Sequence, residues 1–463
     1  MTCIKYIKIF LIIYIFYKFK NYINLKDNKF KVYGLTQNTT TKEYILVFDE
    51  FGSKRDFKHG KCSYCNRYNT SPAWCQTCDP QRMIQGWTSG NKDIDNYIKG
   101  FQLAATEYEN VIEWIPFDKL DNFQKIGEGG FGSVYSAIWS SGKRIIGKIP
   151  KYTQQRTQSY VVALKTLPGP QKNFLDEFKN YMKSRLLEQP DIIEPKYRPI
   201  NNQLEVYGLT KDAVTNEFLM VFQYVNRGSL NNFLASNFQN LSWKKKLELL
   251  LGISKDLAKI HDAGYIHCDI HSGNILINEC INGNIISYIS DLGLSRTTDE
   301  LSLEDGIYGV LPYIAPEVLI KQPYTTAADI YSFGIIMSEI STGKLPYCDV
   351  KHNEDLAIKI YAGLRPEFAK GTPECYIQLA NQCMDANPSN RPSASEICKK
   401  LEDWYLKIRA EAINEDAKNL KKAFASADVM IKTLSTKLQD YPQVRSKLVE
   451  FLNVSEPESM PVI

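Results

Sequence analysis

A glycine-rich turn, GEGGFG at Gly127 to Gly132, opens a series of five motifs whose residue types suit phosphate chemistry. VALK follows at Val162 to Lys165, HCDIHSGN at His267 to Asn274, DLG at Asp291 to Gly293 and APE at Ala315 to Glu317. Glycines let backbone N–H groups approach an anion with no Cβ in the way. Asp269, Asn274 and Asp291 bring hard oxygen donors of the kind that Mg²⁺ takes. A lone GxGxxG also occurs in dinucleotide-binding folds. All five motifs, in this order and at the spacing of a two-lobed nucleotide cleft, outline a machine for phosphate transfer.

These residues need strands and a helix to hold them. Phe123–Ile126 and Ser133–Trp139 read as two strands flanking the glycine turn. Two lysines compete for one role: IIGK ends at Lys148 and VALK at Lys165. Lys165 is the choice and Lys148 the alternative. Val161 to Thr166 is the stronger buried strand, and a helix over Phe174 to Leu187 begins soon after it, offering Glu177 as an ion-pair partner. Trp139 to Tyr160 is then a surface insertion.

On these motifs, the stretch from about Leu120 to Asp403 resembles the eukaryotic protein kinase family. The resemblance implies an α+β, bilobal fold with a small β-rich N-lobe and a larger α-helical C-lobe, using ATP and Mg²⁺. It implies an ATP site made by Ile126, Gly127, Gly129, Gly132, Val134, Ala163, Lys165 and Leu276, with backbone groups of Gln223 and Val225 on adenine and Phe222 as gatekeeper. Lys165 would bind the α- and β-phosphates, held by Glu177. Asp269 would accept the substrate hydroxyl proton, and Asn274 and Asp291 would ligate Mg²⁺. Glu317 should pair with Arg391, and Asp329 should tie down the catalytic loop. Thr297, Thr298, Ser302 and Tyr308 are candidate phosphorylation sites in the activation segment.

Three positions depart from the family pattern. Cys268 replaces an arginine that grips a phosphorylated activation loop, His271 replaces a lysine that helps hold the phosphoryl group, and Leu292 replaces a phenylalanine. None removes an essential group. YSFG, the DLG segment and GVLPYIAPE most resemble the tyrosine-kinase-like branch of Ser/Thr kinases. The expected activity is transfer of the γ-phosphate to Ser/Thr hydroxyls of protein substrates in intracellular signalling. The alternative is a catalytically weak or inactive kinase-like scaffold.

Cys62, Cys65, Cys75 and Cys78 form two CxxC knuckles with nine residues between them. Two such turns can close a tetrahedral, structural Zn²⁺ site; four unligated reduced thiols are the other reading. Ile94 to Glu107 carries apolar residues near helical spacing, and EWIPF then leads into the first strand. Knuckle, helix and EWIPF together resemble a kinase group expanded in filamentous, arbuscular mycorrhizal fungi.

The front of the chain carries a broken repeat. Residues 31–51 match residues 205–225 at nine of 21 positions with one offset of 174, and FKNY occurs at Phe19 to Tyr22 and again at Phe178 to Tyr181. Lys18 stands where the second copy has Glu177, and too few residues precede it for a glycine loop. Residues 1–57 therefore read as a degenerate N-lobe fragment unable to bind nucleotide, 58–119 as a Cys-rich module with a linker helix, 120–405 as the kinase domain and 406–463 as a helical tail. Trp404 to Leu438 reads as a polar helix with three readings, packing on the lower lobe, weak self-association or, the safer one, a solvated helix, with Glu456 to Ile463 frayed.

With 463 residues, 23% of them charged, and a net charge of +4, the chain has the composition of a globular protein and no basis for a nucleic-acid partner. Scattered cysteines and ATP use point to the cytoplasm. The apolar run at residues 9–17 is short for a membrane span and leaves anchoring as a minority reading. Oligomeric state is not encoded in any motif.

Overall fold

Alternation along Tyr160–Thr166 sets the geometry of the sheet that carries the glycine turn. Val162 and Leu164 are fully buried, Val161 is exposed, and Ala163 and Lys165 are half-buried on the opposite face. The computed structural model describes residues 32–37, 44–48, 55–129, 132–148, 150–166, 178, 182, 203–297, 307–409, 414–431 and 447–449. They fall into two compact units.

The larger unit holds a six-stranded sheet. Its strands are β3 (Glu113–Trp114), β4 (Leu120–Gly129), β5 (Gly132–Trp139), β8 (Tyr160–Thr166), β9 (Val206–Lys211) and β10 (Phe218–Gln223), in the order β3-β9-β10-β8-β5-β4. Side chains directly opposite one another in a pair share a face. Val162 and Leu164 thus join Ala137, Leu219 and Val221 in the core on one face. The same register places Val134, Ala163, Lys165, Met220 and Phe222 together on the other.

The helices of this unit follow. They are α3 (Leu230–Asn237), α4 (Trp243–Asp262), α5 (Pro316–Leu319), α6 (Thr326–Thr342), α7 (Glu354–Tyr361), α8 (Glu374–Cys383), α9 (Ala394–Arg409) and α10 (Glu415–Ile431). Helix α4 starts at Ser242, whose side chain accepts from the Lys245 N–H. Helix α6 is buried on every side from Ala328 to Ser341, which is why its sequence is apolar without a polar stripe. Short strands carry the loops between them: β11 (Tyr265–Ile266) pairs with β14 (Arg296–Thr297), and β12 (Ile275–Glu279) with β13 (Ile285–Ile289).

Of the readings of the tail, helix α10 takes the one that packs on the lobe and overturns the solvated one. Ala417, Phe424, Ala427 and Ile431 are buried at helical spacing, and the Phe424 ring packs edge-on against Trp243, with Trp404 beside it. Asp428 accepts the Trp243 N–H at 2.7 Å. The stripe is narrow and interrupted by lysines, so its period is weak in sequence; the aromatic partners on α4 and α9 give it a surface to cover.

The smaller unit gathers three separate stretches, within residues 1–87, 99–111 and 143–157. It contains β1 (Val32–Gln37), β2 (Tyr44–Phe48), helix α1 (Asp79–Met83), the end of helix α2 (Lys92–Ala104) and a hairpin of β6 (Arg144–Gly147) with β7 (Thr153–Arg156). Trp74, Ala105, Tyr108 and Val111 form its core, with Met83 and Ile146 packed against them. Gln154 donates to the Ala73 carbonyl at 2.8 Å, Glu109 accepts the Ile146 N–H at 3.1 Å, and the Arg144 guanidinium lies over the Tyr108 ring. The hairpin is therefore no plain surface insertion. It completes a unit whose other parts all precede the Gly127 to Gly132 turn in sequence, and a contiguous boundary at 58–119 does not describe it.

The repeat is structural as well as textual. Leu35 pairs with Leu46, Thr36 with Ile45 and Val32 with Phe48 in the β1–β2 hairpin, with an irregularity after Val32. Leu209 pairs with Met220, Thr210 with Leu219 and Val206 with Phe222 in β9–β10, with the irregularity at the same place. Only the second copy has β3 alongside it among the described strands, at Gly208, where a Cβ would collide with the Glu113 carbonyl. Lys18 and residues 9–17 lie outside the described residues. Among the described residues no helix is long and apolar enough to cross a membrane.

Candidate active site and thiol cluster

Lys165 stands at the end of β8, on the sheet face shared with Val134 and Ala163, and its Nζ lies 2.7 Å from Asp291 Oδ1. Both side chains are largely buried, so the pair is shielded from solvent screening. Lys148, the alternative, is exposed just beyond β6. Glu177 lies outside the described residues. Its neighbours Phe178 and Met182 are helical and buried, one helical turn apart. Asp291 sits at φ 66°, ψ 71°. A non-glycine residue seldom adopts this left-handed conformation, which here turns its carboxylate toward Lys165.

The loop from His267 to Asn274 is held from below by one buried carboxylate. Asp329, on α6, accepts the main-chain N–H groups of His267 at 2.8 Å and Cys268 at 3.0 Å, and meets His261 Nε2 at 2.9 Å. His267 is fully buried; its Nδ1 accepts from the Asp269 N–H, so its Nε2 donates to the Ser290 carbonyl at 3.1 Å. Burial pushes its pKa down, keeping the ring neutral in this bridging tautomer. Ser290 precedes Asp291 and binds the Asn274 carbonyl through both its N–H and its hydroxyl. The loop and the DLG turn are thus tied together at three points.

Asn274 Nδ2 donates to the Asp269 carbonyl at 3.0 Å and to Asp269 Oδ2 at 3.1 Å, which leaves its Oδ1 as an acceptor. His271 presents Nε2 to Asp269 Oδ2 at 3.6 Å, while its Nδ1 accepts from the Gly273 N–H. A neutral His271 therefore carries its proton on the edge facing Asp269. Asp269, Asn274 and His271 are brought together, and Asp291 is joined to them through Ser290.

The residues expected to face a nucleotide are placed as follows. Gly129 pairs with Gly132, and Gly132 has φ 135°, a conformation side chains rarely tolerate. A Cβ on Gly127 would meet only Val134, at an ordinary 3.9 Å. The fold itself does not require glycine there, so the missing Cβ opens space above the sheet. Ile126 is 47% exposed, an apolar side chain at the root of the turn. Val134, Ala163 and Leu276 are half-buried. Phe222 is buried and faces Ala163. The Gln223 N–H is already engaged by the Glu205 carbonyl at 2.8 Å. Val225 lies in irregular chain beyond β10. The donor set suits ATP with Mg²⁺: two carboxylates and an amide oxygen, one ammonium, and a glycine edge with room above it.

The four cysteine sulfurs, Cys62, Cys65, Cys75 and Cys78, lie within 4.8 Å of one another, with Cys65 and Cys75 at 3.7 Å. Four sulfurs about 2.3 Å from one tetrahedral ion stand roughly 3.8 Å apart. The Tyr64 N–H points at the Cys62 sulfur, and the Arg55 guanidinium at the Cys75 sulfur, 3.7 Å away. Burial alone would raise the Cys75 thiol, but Arg55 and the amides of Cys78 and Thr77 outweigh it and bring it down to about 7. The cluster has the donors and spacing that Zn²⁺ takes.

The sequence pattern of the protein tyrosine and serine/threonine kinase family matches residues 120–401. This chain belongs to the protein kinase family. It is 28% identical over 283 residues to the probable serine/threonine-protein kinase drkA of Dictyostelium discoideum, covering 60% of this chain and 38% of that protein. It is 27% identical over 334 residues to a probable LRR receptor-like serine/threonine-protein kinase of Arabidopsis thaliana, covering 67% and 30%. The cysteine-rich receptor-like protein kinase 1 of Arabidopsis thaliana is 28% identical over 306 residues, covering 62% and 44%. The chain thus spans less than half the length of these curated relatives.

Within the kinase fold, the expected clamp is present. Arg391 binds Glu317 through two nitrogens at 2.7 and 2.8 Å, both residues buried. A second buried network is one that sequence reasoning missed. Glu339 on α6 accepts from the Tyr313 hydroxyl at 2.6 Å, which stands 3.1 Å from the Ser272 hydroxyl, one residue after His271. Complete burial raises the Glu339 carboxyl to about 7. The signal was one acid in the apolar run GIIMSEIST, unreadable without knowing which residue it would meet.

Proposed function

We propose that this chain is an ATP- and Mg²⁺-dependent protein kinase that transfers the γ-phosphate to Ser/Thr hydroxyls of protein substrates. The observation that carries the reading is the 2.7 Å contact of Lys165 with Asp291 across the cleft from a catalytic loop in which Asn274 fixes Asp269. Lys165, freed from Asp291 when phosphates arrive, grips the α- and β-phosphates; Glu177 is assigned as its partner. The N–H groups of the Gly127, Gly129 and Gly132 turn cover the phosphates. Ile126, Val134, Ala163 and Leu276 enclose the base, and the Val225 main chain reads its edge, with Gln223 contributing through its carbonyl since its N–H is engaged. Asn274 Oδ1 and Asp291 would hold Mg²⁺, which offsets the charge on the phosphate oxygens when bound.

Asp269 accepts the proton of the attacking hydroxyl and orients its oxygen. The Asn274 amide keeps that carboxylate in place. His271, whose Nδ1 accepts from the Gly273 N–H, offers its Nε2–H beside Asp269 to the transferring group. The tyrosine-kinase-like branch, a role in intracellular signalling and a cytoplasmic site of action are assigned on the motifs alone, and the relatives' names support the Ser/Thr preference. The resemblance to a group expanded in arbuscular mycorrhizal fungi rests on the knuckle, helix and EWIPF order. In the smaller unit, Cys62, Cys65, Cys75 and Cys78 hold one structural Zn²⁺, leaving no open position for chemistry.

Radiolabelled ATP with a mixed protein acceptor tests the reading. Asp269→Asn should cut incorporation by at least about 100-fold, the scale of a lost general base, while leaving the melting curve in place. Equal incorporation by both proteins would leave a nucleotide-binding scaffold instead. Acid hydrolysis of the labelled acceptor separates phosphoserine and phosphothreonine from phosphotyrosine.

A further inference from the structure

Strand β15 (Ile307–Gly309) lies in the activation segment, and its described strand partner comes from the far end of the chain. It pairs antiparallel with β16 (Lys447–Val449): Gly309 faces Lys447, Tyr308 faces Leu448 and Ile307 faces Val449. One side of β15 is fixed to the lobe, for the Tyr324 hydroxyl donates to the Tyr308 carbonyl at 2.9 Å, and Ile307 and Gly309 are buried. Gly309 has φ 140°, and a Cβ on it would stand 3.5 Å from Asp269 Oδ1. A polypeptide laid along β15 therefore passes the catalytic carboxylate at the residue opposite Gly309.

We infer that the edge of β15 is a docking strand for an extended polypeptide beside Asp269, and that residues 447–449 occupy it in cis as a competitor of protein substrates. Main-chain pairing needs no particular side chains, so the edge accepts many sequences. The occupant is Lys447-Leu448-Val449, which has no hydroxyl to offer. Helix α10 is fastened to the lobe through Phe424 and Asp428, and residues 432–446 connect its end to Lys447. That length reaches up to about 50 Å when extended. A tethered strand competes at an effective concentration that a free substrate must exceed. This inference rests on the kinase reading for its effect on substrates, but the docking itself does not.

The test uses the full chain with Lys447→Pro and Leu448→Pro together. Alternation guarantees that one of the two N–H groups faces β15, and proline removes it. A control carries Asn453→Pro and Val454→Pro, outside the strand. Hydrogen exchange over residues 307–309 should quicken at least about tenfold in the first variant and stay unchanged in the control. Adding a synthetic peptide of residues 443–452 should restore protection to the first variant but not bind the parent chain. The KM for a peptide acceptor should fall at least about threefold in the first variant, with kcat held. Unchanged exchange would overturn the docking. Faster exchange with an unchanged KM would overturn the competition. If no form transfers phosphate, the kinase reading fails, and exchange with peptide rescue still decides the docking.

Discussion

Glu339 is a buried carboxyl whose hydrogen-bond partner is a neutral tyrosine hydroxyl, and burial raises it to about 7 from 4.5. A folded value above the unfolded one favours the folded state at acid pH, where both states hold the proton. That advantage fades as pH rises from about 4.5 to about 7. Glu339→Gln, which keeps the Tyr313 contact without the charge, should therefore gain stability relative to the parent by roughly 3 kcal/mol between about pH 4.5 and about pH 8. Urea midpoints across that range measure it; parallel curves for the two proteins would mean that Glu339 stays ionised. At the thiols, Cys65→Ser should lower bound zinc from about one per chain to near none and drop the melting temperature of the smaller unit. Metal analysis by mass spectrometry reads the first effect and calorimetry the second. A parent chain purified without zinc and indifferent to a chelator would end the metal reading.

Helices and strands carry their own predictions. Helix α10 lies beyond the family-matched region yet is fastened by Phe424, which is 2% exposed between Trp243 and Trp404. Phe424→Ala should cost about 3 kcal/mol, the usual range for a buried aromatic, and unfasten the helix. Tryptophan fluorescence should redden before the main unfolding transition. Lys246 would report the same event. It is fully buried beneath this region, with its ammonium over the Phe238 ring at 4.1 Å and the Trp243 ring at 4.8 Å. Burial lowers it to about 7, against the pull of Asp428.

At the scale of the molecule, the smaller unit is built from stretches that the chain visits at different times. Ile146 sits on a hairpin far beyond Cys78 in sequence, yet packs with Trp74 and Tyr108. Ile146→Ala should loosen the Cys-rich unit by about 2 kcal/mol and raise its rate of zinc loss to a chelator. The same substitution should leave hydrogen exchange over β8 and β10 unaltered. A fragment ending before residue 143 should melt lower than the unit does in the full chain, because it lacks the hairpin. Zinc loss unaffected by Ile146→Ala would mean that the hairpin packs there without supporting the knuckles.

The sequence by itself determined the five motifs that carry the proposed catalytic residues and much of their placement. Local spacing forces it: a glycine turn needs flanking strands, VALK alternates as a half-buried strand, and Asp269 to Asn274 is too short a stretch to be separated in space. It also announced the Cys62, Cys65, Cys75 and Cys78 cluster, since each CxxC turn aims two sulfurs at one point. The repeated VYGLT segments foretold two hairpins of one register. Tertiary structure alone decided the rest. Lys165 meets Asp291 because a left-handed residue turns the carboxylate toward it, which no pattern prints. The β6–β7 hairpin, the buried face of α10 and the pairing of β16 with β15 all depend on partners far away in sequence. Such partners add their contacts only after the chain has closed, and one-dimensional periodicity carries no record of them.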